Sequence, residues 1–214
     1  MFQWHRSAEV WYAYLADVDN LDDLVQDRSR FGESKWFTRG WTLQELVAPT
    51  NVIFLSRGRV TLGTRAELAD HIARRTGIPR QILEGNATVG SMSVASKMAW
   101  ASGRVTTRPE DLAYCLLGLF DVHMPLLYGE GEEKAFMRLQ AEILKISEDE
   151  TILAWRAEKH EAASKPYWGL LATSPRPFRG SHDVVRPQFK ARIGFRVDQP
   201  RAPHLHSSSS LPRR

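Results

Sequence analysis

The residues best placed to do chemistry lie in Ser34-Lys35-Trp36-Phe37-Thr38-Arg39-Gly40-Trp41-Thr42-Leu43-Gln44-Glu45-Leu46, where two tryptophans, an arginine and a carboxylate are packed into one short helical-looking stretch. On a helix Trp41 and Glu45 stand four apart and share a face. A large apolar ring beside a carboxyl desolvates it and raises its pKa, the condition for acid/base or electrostatic work near neutral pH. The ordinary reading stands beside this one: a lone helical glutamate is commonly solvated, and tryptophans are commonly core. Gly129-Glu130-Gly131 ahead of a helix suggests a phosphate loop. It lacks the third glycine and the Gly-Lys-Ser/Thr ending, and the glutamates around it would repel phosphate, so it reads as a tight turn feeding a helix. None of the seven histidines pairs with Cys or a carboxylate at metal-binding spacing, and no metal is expected. The one cysteine, Cys115, falls on an apolar helical face and reads as a small core residue. Arg39 and Arg108 are candidates for ion pairs with Glu45 or Asp111.

These side chains need elements to hold them. Residues 8–18, rich in aromatic and branched side chains, predict a buried strand after a helix end at Met1–Ser7. Asp19–Phe31 reads as a loop, Ser34–Leu46 as a helix, and Asn51–Leu55, just after Pro49, as a second strand. Strand, helix, strand is a βαβ fragment with parallel strands. Downstream the chain turns helical. Thr64-Arg65-Ala66-Glu67 has capping-box spacing, with Leu68 and Ile72 on one face of the helix that follows and a stop at Gly77. Ser93–Ser102 reads as a short helix with Val94, Met98 and Ala101 inward. Thr107–Glu110 reads as a second capping box, ahead of an amphipathic helix with Leu112, Cys115, Leu116 and Leu119 on its apolar stripe. The last helix is expected over Glu132–Ile146, striped by Phe136, Leu139, Ile143 and Ile146, with a short strand over Thr151–Trp155.

Composition describes a globular chain: 43% hydrophobic and 25% charged over 214 residues. A single cysteine excludes an internal disulfide and fits a reducing cytoplasm. No apolar run approaches the ~20 residues of a membrane span. Residues 1–150 carry 17 basic and 21 acidic side chains, whereas residues 151–214 carry 12 and 4. The basic character therefore belongs to a Pro/Ser-rich tail, including Ser207–Ser210 and His204-x-His206. That tail lacks aromatic-interleaved basic motifs, so nucleic acid is not expected as a partner.

Several blocks together resemble the fungal heterokaryon-incompatibility (HET) domain family. They are Trp36-Phe37-Thr38-Arg39-Gly40-Trp41-Thr42-Leu43-Gln44-Glu45-Leu46 with Ala48-Pro49, then Met98-Ala99-Trp100-Ala101-Ser102 followed by Thr106-Thr107-Arg108-Pro109-Glu110-Asp111. Further on come Ala113-Tyr114-Cys115-Leu116-Leu117-Gly118 with Phe120-Asp121-Val122, and Met124-Pro125-Leu126-Leu127-Tyr128-Gly129-Glu130-Gly131. The likeness covers roughly residues 1–155, with a fainter echo at Trp168-Gly169-Leu170-Leu171-Ala172.

The resemblance implies an α/β fold. A partial parallel-sheet βαβ fragment, TIR-like or flavodoxin-like, would form the C-terminal half of a HET domain over 1–62. A mainly α-helical region would follow over 63–155, and a basic, poorly ordered tail over 156–214. The strand–helix units that precede Ala8 in the family have no counterpart here, so the chain resembles a domain without its N-terminal half, either a truncated piece or a non-functional remnant. The implied function is vegetative incompatibility: a self/non-self recognition and programmed-cell-death module of fungal innate immunity. It would act through self-association or association with other HET-domain proteins and need no cofactor. An alternative follows from the TIR likeness. Trp41-Thr42-Leu43-Gln44-Glu45-Leu46 matches the Trp-x-x-x-Glu pattern of TIR domains that cleave NAD. By that analogy Glu45 would be catalytic, Trp41 would line its pocket, and NAD would be the substrate.

Overall fold

A computed structural model describes residues 2–20, 30–157 and 169–186. Most of the predicted acidic loop, Trp168, His160, His204, His206 and the Ser207–Ser210 run lie outside the described residues.

The chain opens with α1 (Phe2–Arg6) and β1 (Trp11–Tyr14). After α2 (Arg30–Glu33) and a 3-10 turn over Lys35–Thr38 come α3 (Thr42–Val47) and β2 (Val52–Leu55). β1 and β2 pair in parallel, Trp11 opposite Val52 and Tyr14 opposite Leu55, so the predicted βαβ connection is present. A third strand, β3 (Thr61–Thr64), pairs antiparallel to β2, and the sheet order is β1-β2-β3. β3 leaves no mark in the sequence pattern, because Thr-Leu-Gly-Thr is short and only part-buried and so has no apolar alternation.

The helical region follows as α4 (Ala69–Thr76), α5 (Arg80–Leu83), α6 (Val94–Ala101), α7 (Asp111–Tyr114), α8 (Leu117–Phe120) and α9 (Glu132–Ile146). The first predicted capping box is made. The Thr64 amide donates to Glu67 Oε2 at 2.7 Å and the Glu67 amide donates to Thr64 Oγ1 at 3.2 Å. Gly77, left-handed at φ 69°, ends α4 as predicted.

Elsewhere the expectations need correction. The Trp-rich stretch is not one helix. It breaks at Arg39-Gly40, which leaves the helical path to pair with Val105: the Gly40 amide donates to Val105 O at 2.9 Å and the Val105 amide to Thr38 O at 2.7 Å. The Thr107–Glu110 box is not made, because the Glu110 carboxylate is engaged elsewhere, and the helix behind it is split into α7 and α8. Its stripe is still buried. Residues 151–155 form no strand; a 3-10 turn spans Glu150–Leu153. α9 has the predicted bounds, but Ile146 at its end is 63% exposed.

The core forms one hydrophobic cluster running from Ala13 to Phe178. Phe31, Trp36, Phe37 and Phe54 meet edge to face with ring centroids 5.2–5.5 Å apart, contacts worth about 0.5–1.5 kcal/mol each beyond area burial. α6 is buried on every side, not on one stripe, and therefore lies in the middle of the molecule. Within the expected tail, Ala172 and Phe178 pack into this core. Ala172 exchanges two hydrogen bonds with the buried Gln140 amide, at 2.7 and 3.0 Å. Among the described residues no helix is long and apolar enough to cross a membrane.

Candidate functional site

Glu45 projects from α3, and α3 is held in place by its other faces. Leu43 and Leu46 are buried in the core. Thr42 Oγ1 donates to the Trp36 and Arg39 carbonyls, tying the helix start to the 3-10 turn before it. The buried Gln44 amide donates to the Cys115 carbonyl just beyond α7. These anchors leave Trp41 and Glu45, one helical turn apart, on the half-buried side.

Burial pushes the Glu45 carboxyl above its ordinary value, while Trp11, Arg39 and Arg104 favour the ionised form and limit the rise. The Trp11 indole N–H is close enough to exert this pull, yet it is buried without a hydrogen bond of normal geometry. Trp11 also carries His5, their rings 4.5 Å apart edge to face, with Trp4 completing the aromatic group. His5 is buried, its Nδ1 has no partner, and desolvation holds its pKa down. The structure thus adds Trp11, His5 and Arg104 to the Glu45 neighbourhood. Trp11 falls within the strand predicted over residues 8–18, but nothing there marked it as a neighbour of Glu45. Nothing in the pattern around Arg104 or His5 pointed to Glu45.

The remaining signature residues fall into two structural groups. Around α3, the Pro49 carbonyl accepts from Arg65, a buried cation whose guanidinium also binds the carbonyls of Leu46, Thr50 and Leu83 at 2.8–3.0 Å. Gly40 is a contact requirement, since a Cβ there would lie 2.4 Å from Thr106 Cγ2 and 3.1 Å from Cys115 Sγ. Gly118 meets the same limit against Phe2, at 2.1 Å. Trp36 and Trp100 are core, and burial pushes the Cys115 thiol up to about 12, far from nucleophilic.

The second group clamps the loop over residues 121–131. Asp121 is left-handed at φ 55° and ends α8. The Glu110 carboxylate accepts from the Gly129 amide at 2.8 Å and the Gly131 amide at 3.0 Å. The glycine loop is thus an anion nest filled from within the chain, and these bonds together with Glu110's own amide hold its carboxyl below the usual range. Tyr114 Oη accepts from the Leu127 amide and donates to Glu130. Arg138 reaches Glu130 and the Pro125 carbonyl. The expected Arg108–Asp111 ion pair is not made: the Arg108 carbonyl accepts from the Asp111 amide at 3.2 Å, while its guanidinium stacks over the Tyr128 ring at 4.5 Å and Tyr128 donates to Asp111 at 3.0 Å.

A cavity of about 860 Å³ lies away from Glu45. It lies where β1 and β2 begin, between Phe2, Val10, Asn51, Arg65, Leu83 and Gly118. Among the described residues no cluster of three His, Cys, Asp or Glu could hold a metal.

Over 158 residues, 72% of its length, the chain is 49% identical to the vegetative incompatibility protein HET-E-1 of Podospora anserina. It is a relative of a heterokaryon-incompatibility protein. The matched region is 11% of that much longer fungal protein. No family model and no solved structure matches the chain.

Proposed function

We propose that this chain is a vegetative-incompatibility module, a self/non-self recognition and cell-death signalling part that works by associating with other HET-domain proteins or with copies of itself. Its likeness to the Podospora anserina protein supports the role. The observation that carries the association is the outer edge of β1. The Trp11 and Leu15 amides donate inward to Asn51 and Leu55, so the backbone groups of Tyr12 and Tyr14 face outward, where β1 has no neighbouring strand among the described residues. Tyr12 is 61% and Tyr14 47% exposed, and neither Lys nor Pro guards the strand. Such an edge accepts an added strand. The test is expression in a fungal host alongside a HET-domain partner. Wild type should pull down the partner or itself and arrest growth. Tyr12→Lys, which places a charge on the edge without touching the core, should abolish both. Unchanged association in Tyr12→Lys would overturn the edge as the contact.

A second reading is favoured by the raised Glu45 carboxyl beside Trp11 and two arginines. In that reading the chain is a TIR-like NAD glycohydrolase, with Glu45 stabilising the positive charge that develops on the ribose as nicotinamide departs. Trp41 flanks the substrate and no cofactor is consumed. Nicotinamide release from NAD by purified protein, lost in Glu45→Gln, is the expected result. Equal release by both proteins, or none by the folded wild type, rejects it.

A further inference from the structure

A pocket of about 400 Å³ on the flank of α6 is lined by Arg74, Arg75, Arg104 and Arg179 together with Trp100 and His182. No aspartate or glutamate is among its lining residues. The four arginines come from three separate places: the end of α4, the turn after α6, and the segment that follows the 3-10 turn over Arg176–Phe178. Two of them, Arg74 and Arg75, complement the dipole at the C-terminus of α4, the usual place for basic residues. The dipole accounts for neither Arg104 nor Arg179. Arg74 also meets His71, Nη2 to Nδ1 at 3.1 Å.

Arg104 is 4% exposed. Its Nε and Nη1 donate to the Trp100 carbonyl, the Arg39 carbonyl and Thr42 Oγ1. Its Nη2 is buried and has no partner. Two further lining residues carry buried polar atoms without partners, Trp100 at Nε1 and His182 at Nδ1. A buried donor without an acceptor is a cost that native interiors rarely leave standing. These atoms are themselves closed off from solvent, so what suits the pocket to an acceptor-rich anion is its cationic lining without a carboxylate. Desolvation, helped by the charge of Arg75 and opposed by Cys115 and Glu45, pulls the Arg104 pKa down to about 10, so the guanidinium remains a cation at neutral pH.

We propose that this pocket binds a small, soluble, phosphate-bearing molecule, with the exposed Arg75 and Arg179 pairing the phosphate oxygens and the buried Arg104 adding its charge from behind them. Phosphate fits because arginine's planar fork pairs with two of its oxygens at once. The size of the pocket falls in the range of small-molecule sites, about 300–1,000 Å³. Arg104 also connects the pocket to the Glu45 neighbourhood, through its bonds to Arg39 and Thr42 and its charge on Glu45. The proposal stands apart from the incompatibility reading, so either can fail alone.

The probe is inorganic pyrophosphate, titrated calorimetrically into the full chain at constant ionic strength so that bulk screening does not imitate binding. Wild type should bind one equivalent saturably and melt higher with ligand. The double variant Arg75→Glu/Arg179→Glu changes two exposed side chains and should retain the wild-type circular dichroism while binding at least tenfold more weakly. Tyr12→Lys, far from the pocket in role, should bind as wild type does. No saturable binding by folded wild type, or undiminished binding by the folded double variant, would overturn the site.

Discussion

At the scale of single residues, Glu45 is a carboxyl whose burial outweighs the groups around it that favour its charge. Its folded-state pKa lies above the ordinary value of 4.5 because burial outweighs Trp11 and the two arginines. Below 4.5 the carboxyl is protonated in both folded and unfolded chains and costs nothing. As pH rises through the folded value, the buried charge forms and stability is lost. Glu45→Gln should therefore melt higher than wild type at pH 7, and the difference should vanish as the pH falls below 4.5. A pair of melting curves against pH checks this. A variant less stable at pH 7 would mean that Arg39 and Arg104 dominate the site.

At the scale of elements, two buried polar side chains do the joining. Arg65 gathers the carbonyls at the end of α3, of the turn into β2 and of α5. Arg65→Met keeps the bulk and strands four acceptors, a loss on the order of 2–4 kcal/mol by urea denaturation. Asp149 joins the 3-10 turn to α6. Its carboxylate accepts from the Val94 amide at 2.9 Å and the Thr151 amide at 3.0 Å, while Thr151 Oγ1 accepts from Ala95 and Ser93 Oγ from Ser96. The free amides at the start of a fully buried helix are thereby met from two directions. Burial alone would raise the Asp149 pKa, but these hydrogen bonds win and hold it below the ordinary 3.8. Its stabilisation is present above pH 3.8 and is lost as pH falls through the lower folded value. Asp149→Ala should cost about 1–2 kcal/mol at neutral pH, a cost that shrinks in acid.

At the scale of the whole molecule, a three-stranded sheet leaves β1 at its border among the described residues, while downstream residues as far as Phe178 pack into one core. The open edge and the arginine-lined pocket are separate surfaces. Concentration-dependent size-exclusion chromatography should show wild type forming larger species, and Tyr12→Lys should elute as monomer at every concentration with an unchanged melting temperature. A lowered melting temperature would place Tyr12 in the fold and not at an interface.

The sequence by itself determined what local pattern can carry. The two parallel strands and the helix between them, the Thr64–Glu67 box, the Gly77 stop, the bounds of α9 and the burial of Phe136, Leu139 and Ile143 all follow from periodicity and capping chemistry that act within a few residues. It also determined that Gly129-Glu130-Gly131 serves structure, because charge near a helix start is itself a local property. Only the tertiary structure decided where long-range partners go. It broke the Trp-rich helix at Gly40 so that Val105 could pair there, and it took Glu110 from its own helix to fill the glycine nest. It buried α6 on all sides and packed Ala172 and Phe178 from the expected tail. It also set Arg104 between Glu45 and three other arginines. Each of these contacts spans a sequence separation that no window of local pattern contains, and each is settled by which apolar faces close into the core and which buried polar groups then need a partner.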